Sequence, residues 1–169
     1  MQIQNATPSD LDFIFTLYRH ATEYMRPRST AVFPEFDPEL IKTEIAENRQ
    51  WKLIDDGNVL CIWATTFDDP LIWEEKNADP SVYIHRITTQ PDHRGHNLVK
   101  KIVDWSKDYA RNNQKKYVRL DTVGRNEKLI AHYTNCGFDF LGLIKLNNTE
   151  GLPAHYDNAS VSLFQIEIK

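Results

Sequence analysis

The fold is decided by the stretch from Tyr83 to Phe138, at whose centre residues 91–97 read PDHRGHN. Its pattern predicts a strand, this loop, an amphipathic helix, a second strand and a short helix that begins after Asn126. The first N–H groups of a helix have no partner within the helix, and the helix dipole is positive at that end. A loop of this kind between a strand and a helix start therefore favours an anion, typically a phosphate.

The other predicted elements follow from local signals on either side of this stretch. Proline-led caps open the two N-terminal helices, Asp56 followed by Gly57 predicts a hairpin, and Gly137 has the position of a helix-terminating glycine. The predicted strands cover residues 1–6, 51–54, 59–66, 81–89, 116–123, 138–144 and 161–168, and the predicted helices begin near residues 7, 37, 98 and 126. An acidic loop is expected over residues 68–79. The order β-α-α-β-β-β-α-β-α-β-β predicts an α/β fold on a mixed sheet.

The composition favours one globular domain and argues against general nucleic-acid binding. The chain has 169 residues, 41% of them hydrophobic, which suffices for a core. Its net charge of −4, from 20 basic and 24 acidic residues, does not suit the neutralisation of a phosphate backbone. Cys61 and Cys136 match no metal-ligand spacing, so we expect buried thiols in a reduced, cytoplasmic setting. We expect neither a signal peptide nor a membrane span.

The element order and these motifs resemble the GNAT superfamily of N-acetyltransferases. The resemblance in element order extends over nearly the whole chain, and the diagnostic residues lie within residues 87–138. It implies one domain over residues 1–169, with a mixed, mostly antiparallel sheet flanked by helices. It also implies acetyl-CoA as acyl donor and no metal. In that family the loop amides hold the pyrophosphate, and the pantetheine pairs with the preceding strand.

The resemblance also implies roles for particular residues of this chain. Pantetheine contacts fall to Ile87 and Thr89, and Asn126 would approach the same part of the ligand. Tyr133, about two helical turns after the Asn126 cap, would protonate the departing thiolate. The pyrophosphate would be held by Arg94, Gly95, His96, Asn97, Leu98 and Val99.

The loop departs from the family pattern, Arg-Gly-x-Gly-x-Gly/Ala, at two positions. Asn97 replaces a glycine, and asparagine is the mildest replacement because it tolerates positive φ. Val99 replaces a second small residue where the backbone would approach the ligand. These departures leave open an alternative function, a non-catalytic CoA-binding or regulatory module on the same scaffold. A different nucleotide-binding α/β class is disfavoured, because the chain has neither a Gly-x-Gly-x-x-Gly motif nor a Walker loop.

The acceptor side of the reaction is less specified. We expect a small-molecule or peptide amine as acceptor, attacked directly in a ternary complex, and a homodimer is an open possibility. His85 is a candidate general base, although a strand histidine is more often a packed, hydrogen-bonded residue. His155 and Tyr156 precede the last strand, a region that often borders the acceptor pocket in the family, and their alternative is an exposed turn.

Overall fold

A computed structural model describes residues 1–29 and 31–169. Its strands are β1 (Gln2–Asn5), β2 (Gln50–Asp55), β3 (Asn58–Thr66), β4 (Ser81–Thr89), β5 (Tyr117–Val123), β6 (Asp139–Lys145) and β7 (Ser160–Glu167). Its α-helices are α1 (Leu11–Met25), α2 (Pro38–Ala46), α3 (Pro70–Trp73), α4 (Leu98–Asn112) and α5 (Glu127–Asn135). Short 3-10 turns cover Pro8–Asp10, Glu74–Ala78, Pro91–His93 and Ala154–Tyr156.

The described chain divides into two compact units. The first contains residues 1–65 and 85–98, and the second contains residues 66–84 and 99–169. Strand β4 therefore contributes its first four residues to the second unit and its remainder to the first. The expectation of one domain over the whole chain stays a prediction.

In the first unit, β1, β2 and β3 form an antiparallel ribbon in that order. The hairpin between β2 and β3 turns at Asp56 and Gly57, whose φ angles are 46° and 79°. Two consecutive left-handed residues are what a tight hairpin turn with the right-handed twist of its strands requires. The predicted hairpin is therefore confirmed. Helices α1 and α2 bury an apolar core that includes Ile14, Leu17 and Ile41.

In the second unit, the strand order is β4-β5-β7-β6. Strand β5 runs parallel to the start of β4, with Ser81–Tyr83 paired to Tyr117–Arg119. Strand β7 is antiparallel to both β5 and β6. The seven strands thus form a mixed, mostly antiparallel sheet with flanking helices, as predicted.

Local signals set the helix ends as expected. The Asp37 carboxylate accepts a hydrogen bond from the N–H of Glu39, and α2 begins at the following proline. Gly137, directly after the last turn of α5, has a φ of 104°. Both cysteines are buried free thiols, as expected. Within residues 1–29 and 31–169, none of the helices is long and apolar enough for a membrane span.

The expected acidic loop over residues 68–79 is only partly a loop. It contains α3 and the 3-10 turn after it, and it buries Ile72 and Trp73. Helix α3 has four residues, which is too short to give a periodic apolar pattern. Its apolar side chains join a core cluster with Tyr83, Leu163 and other residues distant in sequence. Packing therefore orders this segment, and local sequence does not reveal it.

Candidate active site

The loop before α4 combines a 3-10 turn with two left-handed residues. The Arg94 N–H donates to the Pro91 carbonyl at 3.3 Å and closes the turn. Gly95 and Asn97 then have φ angles of 83° and 55°. Asparagine is among the few side chains that accept such a φ, which is why it can replace glycine here. Backbone in which left-handed residues interrupt the usual conformation can turn neighbouring N–H groups toward one anion.

The side chain of Arg94 ties this loop to α1. Its guanidinium lies 4.1 Å from the centroid of the Tyr24 ring and donates to the His20 carbonyl at 3.4 Å. Arg28 lies over the same ring at 3.9 Å. Because Arg94 is engaged in this way, its side chain holds the loop in place and the loop backbone is the part suited to an anion.

Strand β4, which precedes the loop, contains a left-handed residue in its interior. Arg86 has a φ of 52°, a conformation that costs energy for a side chain of its size. The surrounding contacts hold it: its guanidinium donates to both carboxylate oxygens of the buried Glu44, and to the Tyr18 hydroxyl at 3.3 Å. Ile87 and Thr89, the two expected pantetheine contacts, follow on the same strand and are half-buried.

In the second unit, Asn126 is confirmed as the cap of α5. Its side-chain oxygen accepts hydrogen bonds from the N–H groups of Lys128 and Leu129, at 3.1 and 3.2 Å. This use leaves the amide NH₂ as the part of the side chain with donors for a ligand. Tyr133, on α5, is half-buried, and its ring contacts Phe138 and Phe164 at centroid distances of 6.0 and 5.2 Å. These rings set the position of the phenol.

The second unit also contains a buried and a half-buried carboxyl group that lie together and that the sequence pattern does not reveal. The carboxylate oxygens of Asp69 and Asp121 lie within 4.8 Å of each other. The hydroxyl of Tyr156 donates to Asp121 Oδ2 at 2.9 Å. Tyr156 is buried, so the alternative of an exposed turn does not describe it. Asp69 belongs to the segment expected as a loop and Asp121 to a strand, and no spacing rule links them.

Burial gives these two carboxyls unusual proton affinities. Burial, followed by the charges of Asp121 and Asp68, raises the pKa of Asp69 to about 8. Burial also raises the pKa of Asp121 to about 6, and the hydrogen bond from Tyr156 opposes this increase. At neutral pH the pair therefore carries about one negative charge.

The pKa of His85, the candidate base on β4, is shifted in the opposite direction, so this side chain binds a proton less readily than usual. Burial, and then the charges of Arg86 and Arg49, lower the pKa of His85 to about 3. The imidazole is therefore neutral at physiological pH and takes up a proton weakly.

The expected ligand contacts are distributed over both units. Ile87, Thr89 and the loop from Arg94 to Leu98 belong to the first unit, and Val99, Asn126 and Tyr133 belong to the second. The first set includes the two left-handed loop residues, and the second includes the capping asparagine and the tyrosine packed on aromatic rings.

Comparison with known proteins identifies the class. The model of the acetyltransferase (GNAT) family matches residues 14–138, most of the chain, so the chain belongs to this family. The uncharacterised N-acetyltransferase YesJ of Bacillus subtilis is 26% identical over 74 residues, which are 44% of this chain and 41% of YesJ. The chain thus matches less than half of YesJ's length.

Two solved structures have the same fold. A GNAT-family acetyltransferase from Listeria monocytogenes superposes with a TM-score of 0.78 at 21% identity, over 99% of this chain and 94% of its own. The YncA protein of Salmonella typhimurium, solved with its cofactor acetyl-CoA, gives 0.70 at 15% identity, over 100% of this chain and 94% of its own. At these identities the similarity concerns the fold.

Proposed function

We propose that this chain is an N-acetyltransferase that moves an acetyl group from acetyl-CoA to a primary amine. The observation that carries the proposal is the loop before α4, where Gly95 and Asn97 are both left-handed. Its position between strand β4 and helix α4 is the one that holds the CoA pyrophosphate in the family to which the chain belongs. Asn97 keeps the backbone conformation that glycine usually supplies, so the departure from the family motif is compatible with the role.

The other contacts with the donor follow from the local structures. The β4 backbone at Ile87 and Thr89 would pair with the pantetheine, and Arg94 to Val99 would surround the pyrophosphate. The Asn126 amide would donate to the pantetheine. Tyr133 would give its phenolic proton to the departing thiolate, a role that requires a positioned acid.

Direct attack in a ternary complex is supported by the state of the two thiols. Burial raises the pKa of Cys61 to about 11, and burial also raises the pKa of Cys136. A thiol with a raised pKa is rarely ionised and is therefore a poor nucleophile. A route through an acetylated cysteine would need the opposite, so the acceptor amine itself would attack the acetyl group.

The acceptor would be a small-molecule or peptide amine. Structural neighbours include a spermidine N-acetyltransferase variant from Vibrio cholerae and the ribosomal-protein-S18-alanine N-acetyltransferase of Escherichia coli. The net charge of −4 favours a cationic amine over an acidic one. The cytoplasmic location and the homodimer stay predictions.

Calorimetric titration with acetyl-CoA tests the donor site. We expect micromolar binding, and Asn97→Asp should weaken it about tenfold or more because it adds a negative charge beside the phosphates. Asn48→Asp is the matched control, since Asn48 is also exposed and left-handed, with a φ of 56°. Equal affinity of both variants and the wild type would contradict the assignment of the loop.

The alternative function, a non-catalytic CoA-binding or regulatory module, is favoured by Val99, which places a branched side chain where the family has glycine or alanine. A CoA-release assay separates the two functions. Release with spermidine or with a peptide that begins with alanine would support the transferase. Binding of acetyl-CoA without release across a broad panel of primary amines would support the module.

A further inference from the structure

The position of Asp121 on β5 distinguishes it from the other acids of the second unit. The parallel pairing of β5 with β4 includes residues up to Arg119, and Asp121 lies two residues further along the strand. Because side chains alternate along a strand, Asp121 lies on the same face as Arg119. In the ladder with β7 its partner is Leu163, which belongs to the core cluster of Trp73 and Tyr156.

Tyr133 packs on the other face of the sheet, against strand β7. Its ring contacts Phe164, and Phe164 is the ladder partner of Leu120, the residue before Asp121. Consecutive residues of a strand point to opposite faces. The Tyr133 ring and the Asp121 carboxyl therefore lie on opposite faces of the sheet where β5 pairs with β7. Acyl transfer to an ammonium acceptor needs both an acid and a base, because one group must give a proton to sulfur and another must remove one from nitrogen.

We infer that Asp121 is the general base that deprotonates the acceptor ammonium and that Tyr156 is the residue that positions it. This inference rests on the proposed acetyltransferase function. Asp121 would take one proton from the ammonium group, and the neutral amine would attack the acetyl carbonyl carbon. The carbon–sulfur bond then breaks with its electron pair on sulfur, and the Tyr133 phenol protonates the thiolate. The second proton lost by nitrogen as the amide forms restores the phenol, and the proton on Asp121 leaves to solvent.

The charged neighbours of Asp121 suit a base rather than a structural ion pair. Arg119, on the same face, donates to Asp79 at 2.7 Å and to Gln165 at 2.9 Å. Asp69 lies close to Asp121, and the two carboxyls share about one proton at neutral pH, so the pair offers about one negative charge to one cationic group. The pKa of Asp121, raised to about 6, lies close to neutral pH, where a general base is most effective.

Two other groups compete for the role. Asp69 would act instead if the proton of the pair were on Asp121, and His85 would act if its neutral imidazole were the proton acceptor. Conservative variants separate these possibilities, because Asp121→Asn, Asp69→Asn and His85→Gln each remove one titrating group with little change of volume.

The test measures CoA release against pH with the amine of the panel that the wild type acetylates fastest. We expect Asp121→Asn to lower kcat about 10²-fold or more at pH 7 and to keep the dissociation constant of acetyl-CoA within about twofold. Its rate should recover toward pH 10, where the amine loses its proton without help. Asp139→Asn, an exposed acid of the same unit, is the control and should keep the wild-type rate.

The Tyr156→Phe variant tests the positioning role. Since the Tyr156 hydrogen bond lowers the pKa of Asp121, its loss should move the acidic limb of kcat/KM to higher pH. A merely structural tyrosine would lower the rate and leave that limb in place. His85→Gln should leave the limb where it is in the wild type.

Three results would overturn the inference: a wild-type pH profile in Asp121→Asn, an unmoved limb in Tyr156→Phe, or loss of the limb in His85→Gln. A wild type that binds acetyl-CoA and acetylates no amine would instead refute the proposed function and this inference together.

Discussion

The two units bury charge in contrasting ways. In the first unit, Arg86 pairs with Glu44, and the Tyr18 hydroxyl accepts from Arg86. In the second unit, two carboxyls lie together, and the Tyr156 hydroxyl donates to one of them. Each cluster contains ionisable groups with little exposure and a tyrosine. Opposite charges meet in the first, whereas the second joins two acids that carry about one negative charge at neutral pH. The first arrangement holds strand β4 in a strained conformation at Arg86. The second raises the pKa of both carboxyls.

Breaking the ion pair of Arg86 and Glu44 should have the largest effect on stability. Glu44→Ala leaves the Arg86 guanidinium buried without its carboxylate, and such changes cost about 3–5 kcal/mol of unfolding free energy. Urea denaturation followed by circular dichroism measures the loss. The double variant Glu44→Gln with Arg86→Met removes both charges and should cost less. A single-variant loss below about 1 kcal/mol would show that the pair does not hold β4.

Removing one carboxyl of the Asp69–Asp121 pair should instead increase the stability of the protein at high pH. Asp69 binds its proton more tightly in the folded chain than in the unfolded chain. Its contribution therefore favours folding fully below about pH 4 and is lost as the pH rises through about 8. Asp69→Asn should be more stable than the wild type at pH 9, by on the order of 2–4 kcal/mol, and similar to it at pH 4. Thermal and urea unfolding from pH 4 to 9 test this, and a parallel pH dependence in both proteins would contradict it.

The two tyrosine hydroxyls sharpen the contrast. Tyr18→Phe removes an acceptor for Arg86 and for Gln50, so it should cost about 1–2 kcal/mol at any pH from 5 to 8. Tyr156→Phe should cost about 1 kcal/mol at pH 8, where Asp121 is ionised, and less at pH 5. Equal, pH-independent losses for the two variants would show that the hydroxyls play the same role.

An exposed pair gives the lower limit of the comparison. Lys42 and Glu39 are 2.7 Å apart on the surface of α2, where water and salt screen their attraction. Glu39→Gln should leave the urea midpoint unchanged within error. A clear loss would mean that burial is not what separates strong from weak pairs in this protein.

The elements predicted from sequence depend on neighbours along the chain. The turn at Asp56 and Gly57, the cap at Asn126 and the glycine after α5 were all predicted, because each acts on backbone within a few residues. The positive φ of Asn97 also agrees with the reasoning from residue type. Helix α3 was missed, because four residues carry no period and its order comes from packing.

The candidate site also combines features set by neighbours along the chain with features set by tertiary packing. The sequence by itself determined the family, the loop before α4 and the tyrosine after the asparagine cap, since motif spacing along one chain segment carries that information. Only the tertiary structure placed Asp121 beside Asp69 and Tyr156, and Arg86 on Glu44. Arg86 and Glu44 are 42 residues apart, and no local preference connects groups at such separations. Their proton affinities also depend on burial, which exists only after the chain has folded.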